Sequence, residues 1–208
     1  MFELLSADTP NGKKVSILLE ELGLQYKVTK INIYKGDQFT PTFSKISPFN
    51  KIPVLKDLKT KKYIFESGAI LIYLGEKYKK FYDKKYRLKI LQWLMAQMAY
   101  VGPMFGQHHQ FHHYNHGKSK FGEDRYFKIS TQIYKDLDKR LSKSKFLACS
   151  KYTIADIATF PWVARHEIHD IGLKNFKNLT RWFDLISKRK AVIKGYDFMN
   201  RGEVIPKP

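Results

Sequence analysis

The spacing of apolar residues changes near residue 80, and that change constrains the fold more than any other feature of this 208-residue chain. Before it, the apolar runs are short and mixed in type. Phe2-Glu3-Leu4-Leu5 reads as a strand. Val15, Leu18, Leu19 and Leu22 recur at i, i+3, i+4 and i+7, an amphipathic helix that Gly23 can close. Tyr26 to Ile33 favours β-structure, and Ile52 to Leu55 and Tyr63 to Phe65 are two further short runs. The charged stretch Lys56 to Lys62 between them predicts a hairpin turn, and Ser67 to Tyr78 predicts another helix. Beyond the change only the helical period remains. It is carried by Leu91, Leu94, Met95 and Met98, then Ile129, Ile133, Leu137 and Leu141, then Phe176, Leu179, Phe183 and Ile186. The expectation is an α/β domain over residues 1–80, with element order βαβαββα, and an all-helical domain over 86–208. The linker falls within Lys79 to Lys85.

Charge narrows the partners. Lysine plus arginine number 38 against 19 acidic residues, a formal net charge of +19. Such an excess points first to nucleic acid or an anionic membrane. Its distribution argues otherwise. Lysines number 31 and arginines 7, and no block of five like charges occurs, whereas nucleic-acid readers lean on arginine for bidentate contacts. We expect a solvated, lysine-biased surface, with no specific nucleic acid and no membrane among its partners. The single cysteine, Cys149, excludes an intrachain disulfide, a CxxC redox pair and a cysteine-built zinc site; we expect it to be buried. No run approaches the roughly 18–20 apolar residues of a membrane span. Met1 to Pro10 carries Glu3 and Asp8 and does not read as a secretory signal. A reducing, cytoplasmic setting is the expectation.

Three short motifs carry the chemistry. Thr9-Pro10-Asn11-Gly12-Lys13-Lys14-Val15 joins the first strand to the first helix. It sets a hydroxyl and a carboxamide beside helix N-terminal N–H groups, an arrangement that would stabilise a thiolate brought by a ligand. The same residues also suit plain helix capping, with Pro10 near the start. In Ile46-Ser47-Pro48-Phe49-Asn50-Lys51-Ile52-Pro53-Val54-Leu55 a proline opens a strand. A cis Pro53 would let Ile52 pair with an extended peptide, while the alternative is an edge-strand proline. In Phe65-Glu66-Ser67-Gly68-Ala69-Ile70, Ser67 reads as an N-cap whose hydroxyl and neighbouring N–H groups would hold a carboxylate. Glu66 would pair with an ammonium. An acid and a hydroxyl side by side suit an amino-acid zwitterion, and ordinary capping again remains open.

Together, in this order and at these separations, the three motifs resemble the glutathione S-transferase superfamily. The resemblance is to its nu class, the bacterial glutathione-dependent disulfide-bond reductases, and it covers essentially the whole chain. The helical half adds Leu91-Gln92-Trp93-Leu94, then Gly102-Pro103-Met104-x-Gly106-Gln107-His108-His109-x-Phe111. It also adds Tyr152-Thr153-Ile154-Ala155-Asp156-Ile157-Ala158, in which Thr153 and Asp156 form a capping box. The resemblance implies a thioredoxin-like domain followed by a helical domain, in a homodimer. It implies glutathione, as one molecule, two, or the disulfide, and a small disulfide or electrophile as substrate. Thr9 and Asn11 would then face the glutathione sulfur as the catalytic pair. Ile52, before a cis Pro53, would pair with the cysteinyl backbone. Glu66 and Ser67 would hold the γ-glutamyl end, and Gln38 and Lys51 the polar ends. Arg125, in Glu123-Asp124-Arg125-Tyr126, resembles the family's helical-domain arginine that reaches the ligand, though the loop Tyr114 to Gly122 departs from the pattern. The motif holds no cysteine, so the reactive sulfur would be the ligand's own.

His108, His109, His112, His113 and His116 crowd one segment. Their i, i+4 pairs have the spacing of a zinc or nickel site on a helix, but no carboxylate or thiol follows until Glu123. A structural or cleft-lining role is the expectation, with no metal. No Gly-x-Ser-x-Gly elbow, Gly-x4-Gly-Lys loop or Gly-x-Gly-x-x-Gly turn is present. The contrasting functional reading is a catalytically idle fold of the same kind that binds an acidic partner.

Overall fold

The structure is a computed structural model that describes residues 1–208. It divides into two compact units. The first takes residues 1–82 and 189–204, the second 83–188 and 205–208. The expected helical domain of 86–208 therefore includes a segment, 189–204, that packs with the first unit.

In the first unit, strands β1 (Phe2–Ser6), β2 (Tyr26–Lys30), β3 (Val54–Asp57) and β4 (Lys62–Phe65) form one mixed sheet in the order β2-β1-β3-β4. β1 runs parallel to β2 and antiparallel to β3, and β3 pairs antiparallel with β4. Helices α1 (Pro10–Glu21) and α3 (Ser67–Tyr78) pack on it, and α2 (Pro41–Ser44) is a short turn in the long connection from β2 to β3. This is the thioredoxin-like order βαβαββα. β2 stops at Lys30 rather than continuing to Ile33, because the Asn32 carboxamide and Asp37 carboxylate fold residues 32–37 into a turn. The β3–β4 turn is tighter than its charge suggests. Lys56, Asp57 and Lys62 lie in the strands, because Asp57 Oδ1 accepts from the Lys59 and Thr60 N–H groups and closes the hairpin over residues 58–61.

Helix α9 (Lys190–Tyr196) crosses α1 at a distance only glycine allows. A Cβ on Gly195 would lie 2.6 Å from the Ile17 Cα. Ser16 Oγ donates to the Gly195 carbonyl at 2.6 Å. An ion pair between Arg189 and Glu21, with Nε to Oε1 at 2.5 Å, pins the start of the segment.

The second unit is helical: α4 (Arg87–Ala96), α5 (Gly102–His108), α6 (Lys120–Ser142), α7 (Ile154–Val163) and α8 (Lys177–Ser187). π-helical turns at Gln97–Val101 and His109–Tyr114 follow α4 and α5. The first precedes Pro103, whose missing N–H would otherwise break the ladder. The buried stripe keeps the ordinary helical spacing through this turn. Ile90, Leu94, Gln97 and Val101 face inward, whereas Met95 of the expected stripe is exposed. The capping box at Thr153 and Asp156 is formed, and buried Asp156 also accepts from the Leu147 N–H and Trp182 Nε1, both at 2.9 Å. Burial pushes this carboxyl up to about 6 against those two donations and two more from the Thr153 N–H and hydroxyl. No helix is long and apolar enough to cross a membrane.

Candidate functional site

Strand register brings the three motifs to one end of the sheet. Leu5 of β1 is paired with Val54 of β3, and Val54 with Phe65 of β4. The chain therefore leaves β1 toward Thr9, enters β3 from Pro53 and leaves β4 toward Ser67 along the same edge.

At the first of these exits Thr9 is the N-cap of α1. Its Oγ1 accepts from the Gly12 N–H at 3.2 Å, and Pro10 occupies the first helical position. The capping role is thus real for Thr9, and its hydroxyl proton remains to be given elsewhere. Asn11 does not cap; it stands at the second position of the helix, with its amide donors at the positive end of the dipole. Ser6 is fully buried at the end of β1 and donates to the Ala7 carbonyl at 3.1 Å.

At the second, the Ile52–Pro53 bond is cis. Ile52 lies one step outside the ladder, which begins at Val54. The Ser47 hydroxyl braces this entry, donating to the Lys51 carbonyl at 2.8 Å and accepting from the Lys51 N–H at 3.2 Å. The Lys51 side chain is exposed. Gln38, in a single 3-10 turn over Asp37–Phe39, donates Nε2 to the Ile33 carbonyl at 3.2 Å. Its Oε1 is buried and accepts no hydrogen bond.

At the third, the structure corrects one assignment. Glu66, not Ser67, is the N-cap of α3, and Ser67 is its first helical residue. Glu66 adopts φ 67°, ψ 113°, a left-handed backbone that L-residues avoid, and its side chain makes no capping bond. Its carboxylate is exposed, while Ser67 is buried behind the helix N-terminus. The first N–H groups of α3 are therefore not satisfied by a cap side chain, the condition in which a helix end receives an anion.

Two residues here escape sequence reasoning. Lys13 and Lys14 look solvated in the motif, yet each is only 1% exposed. Lys13 Nζ donates to the Tyr196 carbonyl at 2.8 Å, sits 4.0 Å above the Tyr196 ring, and pairs with Asp8 at 2.8 Å and with Glu203. Lys14 Nζ lies 3.5 Å from Ser67 Oγ. The available signal was position: Lys14 stands one turn before Ile17 and Leu18, on the buried face of α1.

In the helical unit, Arg125 is exposed on α6. The histidines turn toward rings and carbonyls. His108 and His112 stack at 4.7 Å, and His112 reaches Asp170 at 2.9 Å. His108 Nε2 meets the His169 carbonyl at 3.0 Å, and His109 stacks between Trp162 and His169. His166 and His169, unremarked in the sequence, are buried with them. No three histidine, cysteine or acidic side chains converge to hold a metal. Cys149 is buried, its sulfur against the Lys151 backbone.

Comparison with known proteins agrees with this geometry. The glutathione S-transferase N-terminal domain model matches residues 9–77 and the C-terminal domain model residues 95–190. The disulfide-bond oxidoreductase YfcG of Escherichia coli is 39% identical, with 92% of each chain covered. The disulfide-bond oxidoreductase YghU of the same organism is 35% identical over 93% of this chain and 73% of that one. A Burkholderia graminis glutathione transferase with two glutathione molecules bound per subunit superposes with a TM-score of 0.89 at 38% identity, covering 97% of this chain and 89% of that one. A Pseudomonas putida glutathione transferase with one glutathione disulfide bound per subunit gives 0.86 at 39%, covering 94% and 90%. Both halves of the family thus match in order, and the chain belongs to the glutathione S-transferase family.

Proposed function

We propose that this protein is a glutathione-dependent thiol–disulfide oxidoreductase. The observation that carries the reading is the strand register that delivers Thr9, Ile52 and Ser67 to one sheet edge, in a chain whose sole cysteine is buried elsewhere. Thr9 and Asn11, at the positive end of α1, donate to the glutathione sulfur and favour its thiolate. The backbone of Ile52, beside Pro53, pairs with the cysteinyl residue as an added strand. Ser67 and the α3 N-terminus seat the γ-glutamyl carboxylate, and Glu66 takes the ammonium. Gln38 and Lys51 meet the remaining polar ends. The thiolate attacks one sulfur of a small disulfide, forming a mixed disulfide and releasing the other half as a thiol. A second glutathione then displaces the remaining half, so two glutathiones are oxidised to one glutathione disulfide and the substrate is reduced to two thiols.

The protein acts in a reducing, cytoplasmic setting as a homodimer. Support for the dimer comes from apolar surface that each unit leaves exposed: Tyr63 and Phe65 on edge strand β4, and Leu88 and Met95 on α4. Sedimentation of a Met95→Glu variant would show half the mass of the parent.

Turnover of hydroxyethyl disulfide with glutathione tests the chemistry. The Thr9→Ala, Asn11→Ala double variant should lose about 100-fold or more in kcat/KM while keeping its fold. Full activity in that variant would remove the assignment. Retention on immobilised glutathione without any turnover by the parent protein would point instead to a binding module.

A further inference from the structure

The turn that carries Thr9 and Asn11 is bracketed by two charges. Asp8 precedes Thr9 and Lys13 follows Gly12. Their side chains pair across the turn, Lys13 Nζ to Asp8 Oδ1 at 2.8 Å. Lys13 is buried, so water does not compete for this pair and the other ammonium donors are met by protein.

The partners that meet them come from the far end of the chain. Lys13 Nζ donates to the Tyr196 carbonyl at 2.8 Å and pairs with Glu203, and Arg201 Nη1 lies 3.7 Å from Asp8 Oδ2. The segment reaches them through a turn of its own. The Asp197 carboxylate accepts from the Arg201 N–H at 2.8 Å and the Gly202 N–H at 3.1 Å, which folds the chain that follows α9. Buried Phe198 fills the same corner: a Cβ on Gly12 would stand 3.2 Å from its ring. All these residues belong to the first unit.

A thiolate seat at a helix start depends on position. The dipole of α1 acts within its first turn, and a hydroxyl or amide stabilises a charged sulfur only in hydrogen-bond geometry. Contacts that fix Asp8, Gly12 and Lys13 therefore fix what lies between them. We propose that residues 196–203, through Glu203 on Lys13, hold the Thr9–Asn11 turn in place for a ligand thiolate, which makes Glu203 and Lys13 positioning residues for the reaction. The inference rests on the reading of Thr9 and Asn11 as the thiolate donors. Position and charge have opposite consequences here. Loss of the Glu203 charge alone favours a nearby anion and lowers the pH at which a bound thiol ionises. Loss of the hold on Lys13 lets the turn relax and raises that pH toward the value of free glutathione.

Glu203→Ala and Glu203→Gln in the full chain separate the two. Glutamine keeps an acceptor for Lys13 and removes the charge. In turnover of hydroxyethyl disulfide, Glu203→Ala should lose about 10-fold in kcat. Its KM for glutathione should be unchanged, because Ile52 and Ser67 are untouched. Ultraviolet titration of the bound thiol should move toward the free value in Glu203→Ala and stay near the parent's in Glu203→Gln. Circular dichroism at the assay temperature shows that the variants are folded. Should Glu203→Ala not fold, Phe198→Leu withdraws the ring from Gly12 without a change of charge, and it carries the same expectations. Parental kcat and thiol titration in a folded Glu203→Ala, or an equal downward shift of the thiol in both Glu203 variants, overturns the proposal and leaves the functional reading in place. Failure of the parent to reduce the disulfide overturns both.

Discussion

The two units bury polar groups by opposite means. The sheet unit buries charges: Lys13 against Asp8 and Glu203, and Asp57 against Lys77 and Tyr73. These pairs brace turns at both ends of the sheet. The helical unit buries neutral imidazoles. His108, His109, His166 and His169 lie among rings and carbonyls, with Tyr134 OH on His169 Nδ1 at 2.7 Å. A buried pair is secure while both charges persist, whereas a buried neutral imidazole is secure only while protons are scarce. The units should therefore answer acid, truncation and overpacking differently.

Truncation of Asp57 to alanine should have the largest effect. It removes four donors' acceptor at once, from Lys59, Thr60, Tyr73 and Lys77. We expect a loss of about 3–4 kcal/mol in denaturant unfolding, with hydrogen exchange rising first in the β3–β4 hairpin.

Acid should separate the units next. Burial, reinforced by Arg165, pushes His109 down to about 3, and burial pushes His169 well below its ordinary value. Their contribution is whole above the unfolded value of 6.5 and fades as pH falls toward the folded value, about 3 kcal/mol for His109 alone by about pH 4. Asp57 has the carboxylate sign. Its donors hold it below its ordinary 3.8, so its contribution fades only below that pH. Hydrogen exchange should thus show the helical unit loosening between pH 6.5 and 4, and the sheet unit only below. Asp156 opposes the histidines: its raised value means a contribution present at acid pH that is lost as pH rises through about 6. His109→Phe should flatten the acid response of the helical unit, and Asp156→Asn should steepen it.

A smaller effect sharpens the contrast within the sheet unit. Gly195→Ala places a Cβ against the Ile17 backbone and should cost about 2–3 kcal/mol, read as loosening of residues 189–204.

How far the sequence reveals this follows from range. Strand and helix types in both halves are legible because each depends on neighbours within a turn or two, as with Val15, Leu18 and Leu19. The capping box at Thr153 and Asp156 is legible for the same reason. The return of 189–204 to the sheet unit is not, because its evidence is a glycine at 195 touching Ile17, far away in sequence. Nor is the buried face of α4, since the stripe runs through Ile90, Leu94, Gln97 and Val101 and so buries a polar residue, Gln97, where residue type favours Met95. In the site, Thr9 as cap is legible, but Ser67 as cap is displaced by the left-handed Glu66. The burial of Lys13 and Lys14 is hidden because residue type outweighs position in any reading of a lysine pair.

The account's central claim is that the α1 N-terminus, with Thr9 and Asn11, favours a ligand thiolate in a protein that supplies no sulfur of its own. Ultraviolet absorbance of the glutathione thiolate, titrated against pH on the saturated protein, measures this directly. The bound thiol should ionise at clearly lower pH than free glutathione, and the Thr9→Ala, Asn11→Ala variant should return it toward the free value. A bound thiol that titrates like free glutathione in the parent protein would contradict the account.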